Sequence, residues 1–552
     1  MRKLQFLFIL SSLILFLPTR RYGMVTDFIN WMSRYDNGTT SDLWICFGYP
    51  GLHHFFHLIN YSFFSVFGTN EWAWYFLASI LHGINAYLVF RLSEALLNLI
   101  GSKVSKQIPL IIGILFLCMP YNVEAVVWKA CIHYLITTGL IIQSLRWLIE
   151  YLKKGENKYL IFVFTAFLLS LFSLELSFIV PLLSLALILF IKYSTETEID
   201  LGSSLKKVVL SQLLMLISYL VLSRWAIGNF IGHYGADKHF NLNPDLIFGN
   251  GLKYLSKYLI HPHFFDGLIK FAYYEALSQP VVYIPTILVI TGSIFLGFFK
   301  WKKLSPELRL SCFMLIVFAV ALAPILTLYF SHTLLWENDR YGYLASAFFI
   351  PFLVLLLLNI PWKPVAKSLL VLWIGFTLFF FARMITHCYN AGKLQHALLD
   401  NFKIPDKAND LFILSSPDSY KGLLLFRDYD TKGDFIRKSL KYLKGVEFEN
   451  KIHHVSQFNA VNMTDAIKVR RSSDKEFIIG FNQYGNWFWK HGIGLSSYET
   501  KEFNVRKNRY NLTCEIKHPK PNDYIFYSGG LRWEGRFFNE FELTDHPTGD
   551  AK

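Results

Sequence analysis

The sequence lacks the short motifs that mark many soluble enzymes. It contains no phosphate-binding P-loop, no dinucleotide-binding glycine pattern, no HExxH and no GxSxG. Its six cysteines occur without CxxC spacing, so it shows no metal knuckle and no redox motif. Internal repeats and low-complexity tracts are also missing. These absences leave a nucleotide-driven pump, a serine hydrolase and a tandem helical-repeat protein without support.

The composition is too apolar for an ordinary soluble protein. The chain is 53% hydrophobic and 17% aromatic, with a mean hydropathy of +0.33. Its net charge of +14 is concentrated in short loops between apolar runs. That distribution is the positive-inside pattern of a membrane protein, and it excludes nucleic acid as the expected partner. The loop cations are Lys103, Lys106, Lys153, Lys154, Lys158, Lys206, Lys207, Lys300, Lys302, Lys303, Arg309, Lys363 and Lys367.

Eleven apolar runs predict membrane-spanning helices. They are Leu4–Pro18, Trp72–Ile100, Ile108–Met119, Ile132–Tyr151, Tyr159–Leu174, Phe178–Lys192, Val208–Ile227, Val281–Phe299, Leu310–Phe330, Tyr343–Ile360 and Val365–Ile385. The first run follows Met-Arg-Lys, and no small-residue cleavage site comes after it, so we interpret it as an uncleaved span with a cytoplasmic N-terminus. Every Lys-rich short loop then lies on the cytoplasmic side. The loops that hold Asp27, Glu124, Glu175, His261 and Arg340 lie on the opposite side.

The predicted fold is therefore mainly α, a polytopic bundle of about 11 spans over residues 1–386. A large first extracytoplasmic loop covers residues 19–71. Residues 387–552 have short apolar runs separated by turn residues, which predicts a soluble extracytoplasmic domain, mostly β (α+β), with one helix near Asp434–Leu443. Cys388 and Cys514 fall in this region and could form a disulfide there.

Asp27 is the first candidate for chemistry, about nine residues beyond the first apolar run. A carboxylate here could accept a proton from an attacking hydroxyl, or hold a divalent cation (magnesium or manganese) beside a leaving phosphate. Asp27 also precedes Phe-Ile-Asn-Trp-Met, and aspartate is a good helix N-cap. Both interpretations stay open from the residues alone. If the protein binds a metal, Asp27 is the ligand that the sequence offers.

Glu124 follows Pro120, where the third apolar run ends. It could cap a helix that begins after the proline, or point into a cavity on the outer face. Lys129 and His133 follow it and would suit a phosphate or a sugar hydroxyl. A hydrogen-bonded core histidine is the alternative interpretation of His133.

Arg340 stands just before the tenth run and is suited to bind a phosphate with two parallel hydrogen bonds. Its alternatives are pairing with Glu337 or Asp339, or extension to the interface.

Histidines accompany these groups. His53 and His54 begin an apolar stretch, Pro50–Phe67, whose period predicts a helix along the membrane surface. We expect this stretch to contribute to a lipid-substrate cavity. His82 is a further candidate, although interhelical hydrogen bonding is the favoured interpretation, and Glu175 in an outer turn is another.

Five segments, in order, resemble the GT-C superfamily of membrane glycosyltransferases, which use polyprenyl-phosphate-linked sugars. The closest group is the transmembrane O-mannosyltransferases with tetratricopeptide repeats and their bacterial relatives. Residues 48–70 look like that group's Tyr-Arg-Pro-Leu loop, 81–90 like its second-span histidine, 120–128 like its Pro-Val-His-x-Glu-Ala-Val segment, 173–181 like its Lys-Glu turn, and 337–346 like its Glu-Arg-Tyr-Leu-Tyr-Leu-Pro-Ser segment.

The resemblance implies a first-loop catalytic acid, which maps onto Asp27, with supporting roles for Glu124 and Arg340. The chain departs from the pattern at several points. Thr26 stands where the family often has a second acid, and Leu174 where it has the turn lysine. Arginine is missing from the 48–50 segment, and no tetratricopeptide tail follows.

The resemblance predicts an inverting glycosyltransferase that moves a hexosyl or pentosyl group from a polyprenyl-phosphate-linked donor to a glycan or protein acceptor on the extracytoplasmic face. The alternatives are a transporter or flippase for lipid-linked glycans and a non-catalytic membrane assembly protein. A transporter is disfavoured because the acids cluster at one face and no repeat is visible. The Lys/Ile/Asn/Phe-rich composition favours a bacterial inner membrane over the endoplasmic reticulum.

Overall fold

A computed structural model describes residues 2–37, 51–231, 243–265, 267–328, 339–427, 432–482, 486–488, 497–508 and 511–543. The chain forms two compact units, Met1–Arg20 with Gly38–Ile385 and Arg21–Asn37 with Thr386–Lys552. We expected the whole first loop to belong to the membrane domain. The segment Arg21–Asn37 instead groups with the C-terminal residues.

The first unit is built from helices. Its α-helices are Arg2–Phe16, His54–Phe67, Glu71–Leu99, Ile108–Leu117, Val123–Val127, Ile132–Lys154, Asn157–Leu171, Val180–Ser194, Leu201–Ser204, Ser211–Ile227, Pro244–Ile260, Gly267–Leu277, Pro280–Phe299, Pro306–Leu322, Tyr343–Leu358 and the first part of Lys363–Asp400. A helix occupies each of the eleven predicted apolar runs. By length and composition, eight helical segments of the described residues could cross a membrane, or ten if each of two bent pairs counts as one span. These long apolar helices suggest a multi-pass membrane protein, and the count of eleven stays a prediction.

Small residues let neighbouring helices approach closely. A Cβ added at Gly83 would lie 2.7 Å from Cα of Ile9, and one at Gly113 would lie 3.1 Å from the carbonyl oxygen of Ala86. Close packing of this kind stabilises helix pairs in lipid, where burial of apolar surface does little to bring helices together. The first helix is therefore packed tightly against Glu71–Leu99.

The Lys-rich loops meet at one end of these helices. Glu307 accepts hydrogen bonds from Ser102 Oγ (2.6 Å) and the Lys103 N–H (3.2 Å). Ser305 Oγ bonds the Asn359 side chain at 2.6 Å, and Arg309 donates to the carbonyl oxygen of Ser194 at 3.2 Å. Helices that leave this end, such as Tyr343–Leu358, have their other ends near the predicted site residues.

The described residues of the second unit form two sheets. In the first, Leu411–Tyr420 is central and parallel to Tyr524–Ser528 on one side and to Ile452–His454 and Gln457–Ala460 on the other. Three antiparallel strands complete it: Leu423–Leu424, Asn486–Phe488 and Trp533–Phe537. The second sheet is antiparallel, in the order Ile467–Arg471, Glu476–Phe481, Asn511–Ile516, Phe503–Lys507, Ser497–Glu499.

A helix at Asp434–Lys444 lies between the central strand and its parallel neighbour in the sequence, as a parallel connection requires. It confirms the helix predicted near Asp434–Leu443, and the C-terminal region is β-rich as expected. The disulfide considered between Cys388 and Cys514 does not form in this structure, where both cysteines are buried.

Candidate functional site

The chain bends at a proline at the end of the third predicted span. Helix Ile108–Leu117 stops before Pro120, which cannot donate a helical hydrogen bond. The segment Pro120–Val127 continues at 50° to it. Asn122 secures the bend, because its side chain donates to the carbonyl oxygen of Phe116 (2.9 Å) and accepts from Ser346 Oγ (3.0 Å). This arrangement brings the segment that holds Glu124 against the segment that holds Arg340.

Glu124 and Arg340 form a buried pair. The Arg340 backbone N–H donates to Glu124 Oε2 and its guanidinium Nη1 donates to Oε1, both at 2.6 Å. The side chains are 2% exposed for Glu124 and 15% for Arg340. The guanidinium lies 4.8 Å from the ring centre of Trp128 and 4.4 Å from that of Tyr341. Glu124 therefore orients Arg340. Of the alternatives considered for Arg340, pairing with Asp339 does not occur, because Glu124 is the partner.

Asp339 pairs instead with Lys257, and neither side chain has more than 1% exposure. Lys257 lies on helix Pro244–Ile260, with its ammonium 4.9 Å from the ring centre of Tyr121 and 5.3 Å from that of Tyr254. Burial raises the pKa of Asp339, and the nearby Lys257 ammonium opposes that rise. The pair adds a second buried positive group beside the Arg340 segment.

Hydrogen bonds fix the start of helix Tyr343–Leu358. Tyr258 donates to the carbonyl oxygen of Gly342 at 2.7 Å. His82 bonds Tyr343 OH (2.7 Å) and the carbonyl oxygen of Leu117 (3.1 Å). Since the three groups come from different helices, His82 has the interhelical role that we favoured.

Most of the predicted stretch Pro50–Phe67 forms a helix, His54–Phe67. His53, just before this helix, contacts Glu175. His53 Nε2 lies 3.1 Å from Glu175 Oε2, and both side chains are buried. The His53 and His133 rings stack with centres 6.5 Å apart. The structure thus joins His53, His133 and Glu175, which lie far apart in the sequence. His54 contacts the ring of Phe172.

Asp27 is the first residue of helix Asp27–Asn37 in the second unit. It is half-buried, and Thr26 before it has a left-handed backbone with φ of 50°. No described residue forms a hydrogen bond or ion pair with its carboxylate, so Asp27 lacks the side-chain contact of an N-cap. The helix is held by Asp434–Lys444, from which Lys438 bonds Asn30 (3.0 Å) and Tyr442 bonds Asp36 (3.0 Å).

The other predicted site features are Lys129, Glu337 and a metal ion at Asp27. Lys129 is buried, and its ammonium lies 3.4 Å from the carbonyl oxygen of Val126. Glu337 lies outside the described residues. Within the described ranges, no group of three or more His, Cys, Asp or Glu side chains could hold a metal ion. The described donors around Asp27 do not supply a ligand set, and we derive no step through a metal.

Sequence reasoning missed Lys257 and its aromatic neighbours. Lys253 and Lys257 are four residues apart and so share one face of a helix, which was a usable signal. Burial lowers the pKa of Lys253 to about 8.

No protein-family model matches this chain, and no curated protein is significantly similar to it.

Proposed function

We propose that the protein is a membrane glycosyltransferase of GT-C type that uses a polyprenyl-phosphate-linked sugar. The observation that carries this proposal is the partly exposed guanidinium of Arg340. Its Nη1 bonds Glu124 and its Nη2 bonds Tyr341 OH at 3.0 Å. Its Nε has no hydrogen-bond partner among the described residues, so the group keeps donor capacity for an anion.

The surroundings of Arg340 suit its guanidinium to stabilise negative charge that develops on a phosphate. Trp128 and Tyr341 flank the guanidinium and restrict its rotamers. An oriented cation in a poorly solvated site interacts more strongly with developing charge than one in water. In glycosyl transfer that charge develops on the phosphate as the sugar leaves. Stabilising the leaving phosphate is thus the task we assign to Arg340, with Glu124 as its positioning residue.

The reaction breaks the bond between the anomeric carbon and the phosphate oxygen, and polyprenyl phosphate leaves with the electron pair. An acceptor hydroxyl forms the new bond to the anomeric carbon from the opposite side, which inverts the centre. Its proton passes to a carboxylate, for which we retain Asp27 from the sequence resemblance. The donor-phosphate assignment rests on the first unit alone, and the Asp27 assignment is tested separately.

Mass spectrometry of surface glycans and membrane lipids, with and without the protein, tests the proposal. Cells that lack the protein should lose one glycan and accumulate the intact polyprenyl-phosphate sugar. Arg340→Gln should reproduce this loss, with product falling about 100-fold or more, since a single stabilising donor has an effect of that order. Unchanged glycans in cells that lack the protein would refute the function.

Two controls separate chemistry from folding and from transport. Glu124→Gln/Arg340→Gln removes both buried charges, so it should insert at a normal level and still make no product. Normal product from that variant would disprove the Arg340 assignment. Transport is tested with purified protein in liposomes that contain the donor lipid and an acceptor. If the protein moves the donor lipid across the bilayer and releases no polyprenyl phosphate, it is a flippase instead.

A further inference from the structure

A cavity of about 680 Å³ opens at the Lys-rich end of the first unit. Its walls come from helices Val180–Ser194 and Pro306–Leu322, and they are apolar: Ala186, Leu189, Phe190, Phe313 and Ile316. The Phe190 and Phe313 rings, which both line the cavity, stack with centres 4.3 Å apart. Tyr193 beside the opening is 63% exposed. This volume is in the range of ligand pockets. None of the residues that line it belongs to the site described above.

Positive charge surrounds the opening of this cavity. Lys300, Lys302 and Lys303 line it and are exposed. No described carboxylate forms an ion pair with any of the three. Lysines in another Lys-rich loop differ, because Lys154 pairs with Glu150 at 2.6 Å and Lys158 pairs with Glu156. The cavity opening therefore has uncompensated cations.

A guanidinium donor lies next to the same wall. Arg309 donates through Nη1 to the carbonyl oxygen of Ser194, a cavity residue, and its buried Nε has no hydrogen-bond partner. The nearest acid on that helix, Glu307, is already engaged by Ser102 and the Lys103 N–H. Trp301 Nε1 bonds Ser194 Oγ at 3.1 Å, and tryptophan is typical of the membrane interface.

We propose that this cavity, the Lys300–Lys303 cavity, binds a phospholipid with an anionic headgroup. The apolar walls would hold an acyl chain, while the three lysines would contact the headgroup phosphate. Charge complementarity selects this occupant, since a neutral lipid would leave the cations unpaired and a free anion would leave the apolar walls empty. Basic pockets between membrane helices bind anionic headgroups for the same reason. The inference requires the helices to lie in a bilayer, and it does not depend on glycosyl transfer.

Native mass spectrometry of the full-length protein in detergent tests the site, by titration with phosphatidylglycerol and with phosphatidylcholine of the same acyl chains. We expect phosphatidylglycerol to bind at least tenfold more tightly. Lys300→Gln/Lys302→Gln/Lys303→Gln should reduce that preference at least tenfold. Ala186→Phe keeps every cation and fills the apolar part, so it should weaken binding of both lipids.

The matched control is Lys153→Gln/Lys154→Gln/Lys158→Gln, which removes three charges from another Lys-rich loop, whose residues do not line the cavity. It should leave phosphatidylglycerol affinity within about twofold of the parent value. Equal effects of the two triple variants would overturn the proposal. The preference for phosphatidylglycerol would then depend on the net charge of the protein and not on the cavity. Equal binding of the two lipids, or displacement by glycerol phosphate at the same concentration, would also overturn it.

Discussion

Glu124 and Arg340 are 216 residues apart in the chain and are joined by two hydrogen bonds of 2.6 Å, one to the backbone N–H of Arg340 and one to its guanidinium. A carboxylate that accepts both bonds fixes the position of the backbone as well as that of the side chain. Since Glu124 follows the bend at Pro120 and Arg340 leads into helix Tyr343–Leu358, the pair ties two spans together. The same contact can thus determine both stability and the direction in which the guanidinium points.

Glu124→Gln should lower the free energy of unfolding by about 3–5 kcal/mol, because it removes the charge partner of a guanidinium that is only 15% exposed. Thermal unfolding of the detergent-solubilised protein measures the loss. The matched control is Glu94→Gln, whose partner Arg91 lies 2.9 Å away in a pair that is 22% and 40% exposed. Exposed pairs contribute about 0–1 kcal/mol. Equal unfolding temperatures for the two variants would contradict the buried pair.

Asp27→Asn should abolish glycan product while the protein stays inserted at its normal level. The described residues give its carboxylate no partner, so the substitution removes only its interaction with the helix N-terminus, about 0.3–1 kcal/mol. Surface glycan mass spectrometry and membrane immunoblots provide the two readouts. Asp36→Asn is the control on the same helix, where the carboxylate bonds Tyr442 at 3.0 Å. If product persists with Asp27→Asn, the catalytic assignment fails.

Local patterns predicted the helices but not their long-range partners. Apolar runs and loop lysines are visible in short windows of sequence, and helices occupy all the predicted runs. The sequence offers Glu337 and Asp339, close to Arg340 in the chain, as its ion-pair partners. The partner in the structure is Glu124, which is 216 residues away. Likewise, nothing in the local sequence indicates that Arg21–Asn37 groups with the C-terminal residues. That grouping depends on which surface the helix Asp27–Asn37 contacts. Tertiary contacts between distant segments decided each of these differences.

Arg427→Gln should destabilise the second unit more at neutral pH than in acid. Arg427 Nε and Nη2 bond the two Asp418 oxygens at 2.9 and 3.0 Å, and the carboxylate is buried. Burial raises the pKa of Asp418, while Arg427 and, less strongly, His454 hold it down. Without Arg427 the folded-state pKa rises further. Folding then disfavours the ionised form, and stability falls as the pH rises from about 4, the usual pKa of aspartate, towards 7.

Hydrogen exchange of strand Leu411–Tyr420 in the full-length protein, followed at pH 4 and pH 7, measures this effect. The loss should reach about 3–5 kcal/mol at pH 7. It should be much smaller at pH 4, where the folded variant keeps Asp418 protonated and about half of the unfolded chains are protonated there too. Arg437→Gln is the control, because its guanidinium bonds only the carbonyl oxygens of Phe448 and Asn450. The loss of unfolding free energy caused by Arg437→Gln should be the same at pH 4 and at pH 7. A pH-independent loss in Arg427→Gln would show that Asp418 does not titrate against that arginine.

Gly83→Ala should separate the first helix from Glu71–Leu99. The added Cβ would lie 2.7 Å from Cα of Ile9 and 2.9 Å from the carbonyl oxygen of Phe8, and backbone atoms cannot rotate away. We expect a loss of about 1–3 kcal/mol, measured by thermal unfolding in detergent. Gly292→Ala is the matched control inside helix Pro280–Phe299, where nothing lies within 4 Å of the new Cβ. Since alanine favours helix over glycine by about 1 kcal/mol, this control should be neutral or stabilising. Should Gly83→Ala match it, the first helix would not pack on Gly83, and its close contact with the second span would be ruled out.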